Sequence, residues 1–423
     1  MTRRLLIKNI KGLVQVETET RLRKRSGAEM KNLPMLEDAW LALEEDRITG
    51  FGSMEDWDGI SDWNGLEVID ATGKFVLPCW NDPHTHIVYA GSRETEFVDK
   101  INGLSYEEIA KKGGGILNSA KRLSLASEDE LYQSAKARIE EMMGFGTGCI
   151  EIKSGYGLSV EGELKMLRVI KRLKETMPVK IKSTFLGAHA LPVEYKENRS
   201  GYIDLIIQDM LPTIQKEALA DYIDVFCDKG FFTVEETDRL LQAGTAIGLQ
   251  AKIHANELDF SGGIQIGVKN EALSVDHLEF TGEEEIEVLL KSDTMPTLLP
   301  STAFFLRMSP PPARKMLEKG LPIALATDFN PGSSPSGNFP FVLSLACILL
   351  KMLPEEAINA ATLNSAYAMG LESEYGSIAV GKKANVFISK EMNSLSFLPY
   401  SFGSNLVEKV ILNGKVLVDK ESE

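Results

Sequence analysis

The fold class predicted by the sequence is α/β: a TIM-like (β/α)8 barrel with a small β-sandwich domain formed from both chain ends. Three observations predict it. Between residues 75 and 370, short β-branched or apolar runs ending in a polar residue alternate with loops and amphipathic stretches, the pattern of βα units on a parallel sheet. Eight such runs can be counted, at 75–86, 147–153, 181–189, 222–228, 249–254, 273–277, 294–300 and 322–328, and eight is the number that closes a barrel. The two chain ends instead carry short alternating segments such as 5–7, 39–43 and 410–412, broken by glycine and polar turns. The expected units are 1–74 and 375–423, which combine into the β domain, and 75–374, the barrel.

Along the chain, the apolar run in 1–10 is interrupted by Lys8 and Lys11 before a signal-peptide core can form. The polar, basic stretch 21–31 reads as a hairpin tip. Helix starts are marked by capping-box spacing at Ser127 with Glu130, Thr233 with Glu236 and Thr281 with Glu284. Leu164, Leu167, Ile170 and Leu173 recur at helical spacing, so a helix over 160–174 should lay that face on the barrel. The longest apolar stretch, 339–350, is too short for a bilayer and reads as a buried helix.

Composition excludes several classes. Apolar content of 43% and charged content of 25% belong to an ordinary globular chain. With 46 basic and 61 acidic residues the net charge is −15, which repels phosphate backbones and anionic lipid, so neither nucleic acid nor a membrane is an expected partner. Cys79, Cys149, Cys227 and Cys347 lie far apart with no C-x-x-C pair and read as buried, reduced thiols. A cytoplasmic protein is expected.

The chemistry lies in the histidines. All five, His84, His86, His189, His254 and His277, fall at or within two residues of the carboxyl end of a predicted strand, the rim where a barrel builds its active site. His84 and His86 are one residue apart on an extended strand, so both rings project to the same side. His254 ends the fifth run and Asp328 the eighth, and together the four give a nitrogen-and-carboxylate set suited to one divalent ion, zinc or iron. Glu257, three residues beyond His254, can reach a water held by that ion and shuttle its proton. His277, ending the sixth run, suits a donor to a developing oxyanion.

The ordered set His84-x-His86, His254-x-x-Glu257, His277 and Asp328 resembles the amidohydrolase superfamily, in its mononuclear branch. Binuclear members carry a carboxylated lysine at the end of the fourth strand; here that run ends Phe226-Cys227-Asp228, and Lys153 ends the second strand instead. The resemblance sharpens to the imidazolonepropionase family through 82–86, 91–97, 113–116, Lys153-Ser154-Gly155-Tyr156-Gly157-Leu158, Leu186-Gly187-Ala188-His189 and 327–332. It implies hydrolysis of the cyclic amide of 4-imidazolone-5-propanoate to N-formimidoyl-L-glutamate, in histidine degradation, by a homodimer. Arg93 is then suited to a bidentate grip on the propanoate. By the same resemblance Tyr106, Tyr156 and His189 line the substrate pocket, and Glu257, Asn330, Gly332 and Ser333 contact substrate or product. Asp328 shares with Glu257 the candidacy for catalytic base. Asn256 and Asn385 depart from the family pattern, which has Asp there; neither is given a catalytic role.

Two rivals stay open on sequence. A deaminase of a guanine-like or cytosine-like ring shares the metal set, but would leave the Arg93 guanidinium without an anion. A catalytically inactive barrel would be expected to lack a ligand or the acid/base residue, and none is missing.

Overall fold

Both chain ends contribute to one mixed eight-stranded sheet, and the middle of the chain builds a second sheet of eight parallel strands. The computed structural model describes residues 2–17, 22–104, 108 and 114–420. The first sheet starts with β1 (Arg4–Val14), β2 (Met35–Glu44), β3 (Arg47–Ser53), β4 (Leu66–Asp70) and β5 (Phe75–Pro78). Leu5 and Ile7 on β1 lie opposite Leu43 and Leu41 on β2, and β4 and β5 add to β1 in parallel.

The barrel strands are β6 (Trp80–Thr85), β7 (Thr147–Lys153), β8 (Lys180–Ala188), β9 (Tyr222–Cys227), β10 (Gln250–Ala255), β11 (Ser274–His277), β12 (Met295–Leu298) and β13 (Ala324–Leu325). Every neighbouring pair from β6 to β13 is parallel. The ring closes between the eighth and first strands just past β13. Asp328 N–H donates to His84 O at 3.0 Å and His86 N–H to Phe329 O at 2.9 Å. The Asp82 carboxylate stitches the same seam, accepting from Thr327 N–H at 3.1 Å and Thr327 Oγ1 at 2.6 Å.

The chain then returns to the first sheet as β14 (Val386–Ser389), β15 (Val407–Leu412) and β16 (Lys415–Asp419), with β14 pairing to β5. Ile7, Ile10, Leu41, Val386 and Ile411 from the two ends share a core of their own.

The helices largely follow their sequence signals. Leu164, Leu167, Ile170 and Leu173 are buried on the helix Val160–Thr176. Ser127 and Thr233 make the expected capping boxes with Glu130 and Glu236. The helix Phe339–Ile348 is apolar and mostly buried. Among the described residues no helix is long and apolar enough to cross a membrane. Cys79, Cys149 and Cys227 are buried thiols, Cys347 is half-buried, and none is in a disulfide.

Three local expectations are corrected. The run 75–86 is two strands: Cys79 N–H donates to Asn385 O and Trp80 N–H to Gly146 O, so the backbone changes sheet at that step. The third cap sits one residue later than expected, because Gly282 N–H takes the Glu285 carboxylate at 2.9 Å while the Thr281 hydroxyl turns back to Leu278 O. The described part of 21–31 is no hairpin tip. It ends in a 3-10 turn, Gly27–Lys31, docked on the barrel by Gly27 N–H to Leu321 O and by Asn359 and Asn364, whose side chains bond the backbone at Met30 and Arg25.

Candidate metal centre and active site

The carboxyl ends of the barrel strands bring all five histidines to one rim. His84 is the penultimate residue of β6 with His86 just beyond its end, His254 is the penultimate residue of β10, His277 ends β11, and His189 follows β8. Strand alternation turns His84 and His86 to the same side, with their Nε2 atoms 3.3 Å apart. His254 Nε2 lies 3.4 Å from His86 Nε2, and the donor atoms of the three rings all fall within 4.8 Å of one another. Asp328 Oδ1 completes the group at 3.6 Å from both His84 Nε2 and His86 Nε2, and all four side chains are buried. Asp328 Oδ2 is fixed from behind by the Thr302 hydroxyl at 2.5 Å.

The donor set fits a cation. His84 Nδ1 hydrogen-bonds Asp276 Oδ2 at 2.6 Å, which leaves the bare lone pair of its Nε2 pointing inward, and His254 Nδ1 lies 2.9 Å from Asp224 Oδ2, a carboxylate that favours the same arrangement in that ring. Burial, with Lys153 and the other histidines nearby, holds His84 neutral, well below its ordinary value; burial does the same for His86. Lone pairs crowded at 3.3–3.4 Å with a carboxylate beside them suit a divalent ion. His86 Nδ1 has no hydrogen-bond partner among the described residues.

Below this set the barrel interior carries charge in place of the usual aliphatic layers. Lys153 Nζ donates to Glu151 Oε1 at 2.7 Å and Asp224 Oδ2 at 2.8 Å, and Lys252 Nζ bonds Glu151 Oε2 and, at 3.1 Å, Pro83 O. Ser274 donates to Asp276 Oδ1 at 2.6 Å. Burial alone would discharge Lys153, but Asp224, Glu151 and Asp276 outweigh it and hold the ammonium above its ordinary value. This network was missed on sequence. The signal that could have found it is parity: Glu151 with Lys153, and Lys252 with His254, share a strand face, so charges two residues apart inside strands read as buried had to meet partners.

The expected catalytic groups face the same cavity. It measures about 430 Å³ and is lined by His86, His254, Asp328, Glu257, His277, Arg93, Tyr156, His189, Asn330, Gly332 and Ser333. The Asp228 carboxylate holds the turn after β10 by accepting from Glu257 N–H at 2.7 Å and Leu258 N–H at 2.9 Å. Burial, reinforced by the charges of Asp328 and Asp228, pushes the Glu257 carboxyl up to about 8. His277 Nδ1 lies 3.7 Å from Glu257 Oε2.

At the substrate end, Arg93 precedes the helix Glu94–Ile101 and its guanidinium is held by Glu96, with Nε at 2.8 Å and Nη2 at 2.6 Å from Oε2. Its Nη1 packs on Gly332, where a Cβ would sit 2.2 Å away. Tyr156 rides a loop gripped by the buried Glu163 carboxylate, which accepts from Gly155, Gly157 and Leu158 N–H. His189 Nδ1 bonds Gly155 O at 2.9 Å, and its ring stacks on His86 at 5.3 Å. Asn330 Oδ1 accepts from Gly332 and Ser333 N–H and shapes their turn. Tyr106 lies outside the described residues.

Comparison with known proteins agrees with this architecture. The model of the Amidohydrolase family matches residues 99–418. The chain is 58% identical over 412 residues to the imidazolonepropionase of Flavobacterium johnsoniae, covering 97% of this chain and 99% of that one. It is 56% identical to the imidazolonepropionase of Christiangramia forsetii, covering 98% and 100%. Among solved structures it is similar in fold to Escherichia coli guanine deaminase, with a TM-score of 0.74 at 13% identity and 99% of each chain covered. A hydrolase with a rim-mounted metal site is the class that fold and site define, and the chain belongs to the amidohydrolase family. Within that family its place is among the imidazolonepropionases.

Proposed function

We propose that the chain hydrolyses the lactam C–N bond of 4-imidazolone-5-propanoate, giving N-formimidoyl-L-glutamate in histidine degradation. The observation that carries the reading is one cavity with a four-donor metal set and the Arg93 guanidinium, in a chain 58% identical to a named imidazolonepropionase. In this proposal His84, His86, His254 and Asp328 hold one divalent ion, zinc or iron. When bound, such an ion supplies Lewis-acid activation of water and carbonyl.

The chain's own groups do the rest. Arg93 takes the propanoate carboxylate through the guanidinium edge that Glu96 leaves open. Tyr156 and His189 wall the ring, and Asn330, Gly332 and Ser333 border it. Glu257 removes the proton of the attacking water and returns it to the ring nitrogen as the C–N bond breaks, a two-way task open to a carboxyl that faces the cavity beside Asp328. His277 donates to the carbonyl oxygen as it gains charge. The carbonyl carbon keeps the water oxygen and becomes the α-carboxylate of the product.

The test is a spectrophotometric assay with freshly made imidazolone propanoate, run beside a metal determination. Consumption of substrate with about one equivalent of metal per chain supports the proposal. Ammonia release from guanine or cytosine, with the imidazolone untouched, rejects it in favour of a deaminase. A cytoplasmic homodimer is part of the same reading, and light scattering that finds only monomer at working concentration rejects that part.

A further inference from the structure

The helix Glu94–Ile101 presents more charge to the cavity than Arg93 alone. Arg93, Glu96 and Lys100 fall at positions i, i+3 and i+7, which place them on one helix face. Lys100 is half-buried and lines the same cavity as Arg93, His86, His254 and Asp328. Both oxygens of Glu96 are committed, Oε2 to the Arg93 guanidinium and Oε1 to Gly115 N–H at 3.0 Å.

The charges on this face are therefore two cations and one carboxylate, a surplus of one positive charge. A single carboxylate on a small ligand is what balances it. Burial, followed by the charge of Arg93, lowers the Lys100 ammonium below its ordinary value, and the charge of Glu96 offsets only part of this. Geometry adds a reason for a second cation. Glu96 occupies the Nε side of Arg93 and Gly332 packs on Nη1, so the guanidinium is held in one orientation and cannot wrap a carboxylate from two sides. A flexible ammonium on the neighbouring turn can take the oxygen that Arg93 leaves.

We propose that Lys100 is a substrate-binding residue: it shares the propanoate carboxylate with Arg93, while Glu96 acts as a positioning residue that holds Arg93 and leaves the pair with one net positive charge. The inference rests on the substrate reading given above, because that substrate carries one carboxylate on a short arm.

The test compares 4-imidazolone-5-propanoate with its neutral propanamide analogue, using the metal-loaded full chain. In the wild type the ratio of kcat/KM for acid over amide measures carboxylate recognition. The ratio should fall about ten-fold or more in Lys100→Met, with the change carried by KM for the acid, and should be largely kept in Lys100→Arg. Because both substrates are read in one preparation, partial misfolding cancels, and Lys100→Gln serves if the Met variant is insoluble. A ratio within about two-fold of wild type in Met and Gln variants overturns the role of Lys100 while leaving the enzyme reading intact. A wild type that hydrolyses neither compound overturns the substrate reading and this proposal together.

Discussion

Asp276 and His84 face each other at 2.6 Å, carboxylate Oδ2 to ring Nδ1, with neither side chain exposed to solvent. The carboxylate fixes which ring nitrogen carries hydrogen, and so which one is free for an ion. Asp276→Asn keeps the shape but removes the charge, and its amide can turn a donor toward Nδ1. Metal affinity should drop by about 10–100-fold, the range for such supporting partners. Competition with a chromophoric chelator reads this directly; unchanged affinity would show that Asp276 serves only the charge network beneath.

Glu257→Gln should lower kcat by about two to four orders of magnitude with metal content unchanged, as expected for loss of a general base. Single-turnover kinetics with metal analysis on the same sample is the measurement. Turnover near wild type would leave Asp328 as the base.

Gly332→Ala puts a methyl group 2.2 Å from Arg93 Nη1, closer than packing permits, so the guanidinium must move. The expected effect is a rise in KM for the propanoate substrate and a loss in kcat/KM of about 10–100-fold, the cost of an ångström-scale misplacement. Metal binding, with three of its four donors on other strands, should change far less. A KM equal to wild type would detach Arg93 from substrate recognition.

Removal of the ion should reduce stability as well as activity. A ligand that binds only the native state stabilises it by about 4 kcal/mol at a thousand times its Kd. Calorimetry after chelation should therefore show a lower Tm that recovers when zinc or iron(II) is restored. An identical Tm with and without ion would mean that the four donors do not hold it tightly.

Much of the site was legible because metal chemistry demands particular residue types and the barrel gathers them at predictable places. His84, His86, His254 and Asp328 were each recognisable from residue type and position at a strand end, with no knowledge of the contacts between them. What was not legible depends on tertiary pairing. Whether residues 75–78 joined the barrel or the other sheet turned on partners near residues 385–388, more than 300 positions away. The Thr302 hydroxyl behind Asp328 carried no sequence signal, since a threonine near a helix start is commonplace. The Glu96 partner of Arg93 was visible as i, i+3 spacing, but the same spacing is common on exposed helices where such pairs mean little.

The seam stitched by Asp82 and Thr327 separates residues that must cooperate: His84 and His86 lie on one side of it and Asp328 on the other. During synthesis the early histidines emerge some 240 residues before the acid that completes their set. A nascent chain therefore cannot bring the four donors together until its last barrel strand has docked, and under the proposed function capture of an ion would be a late event that reports a finished ring.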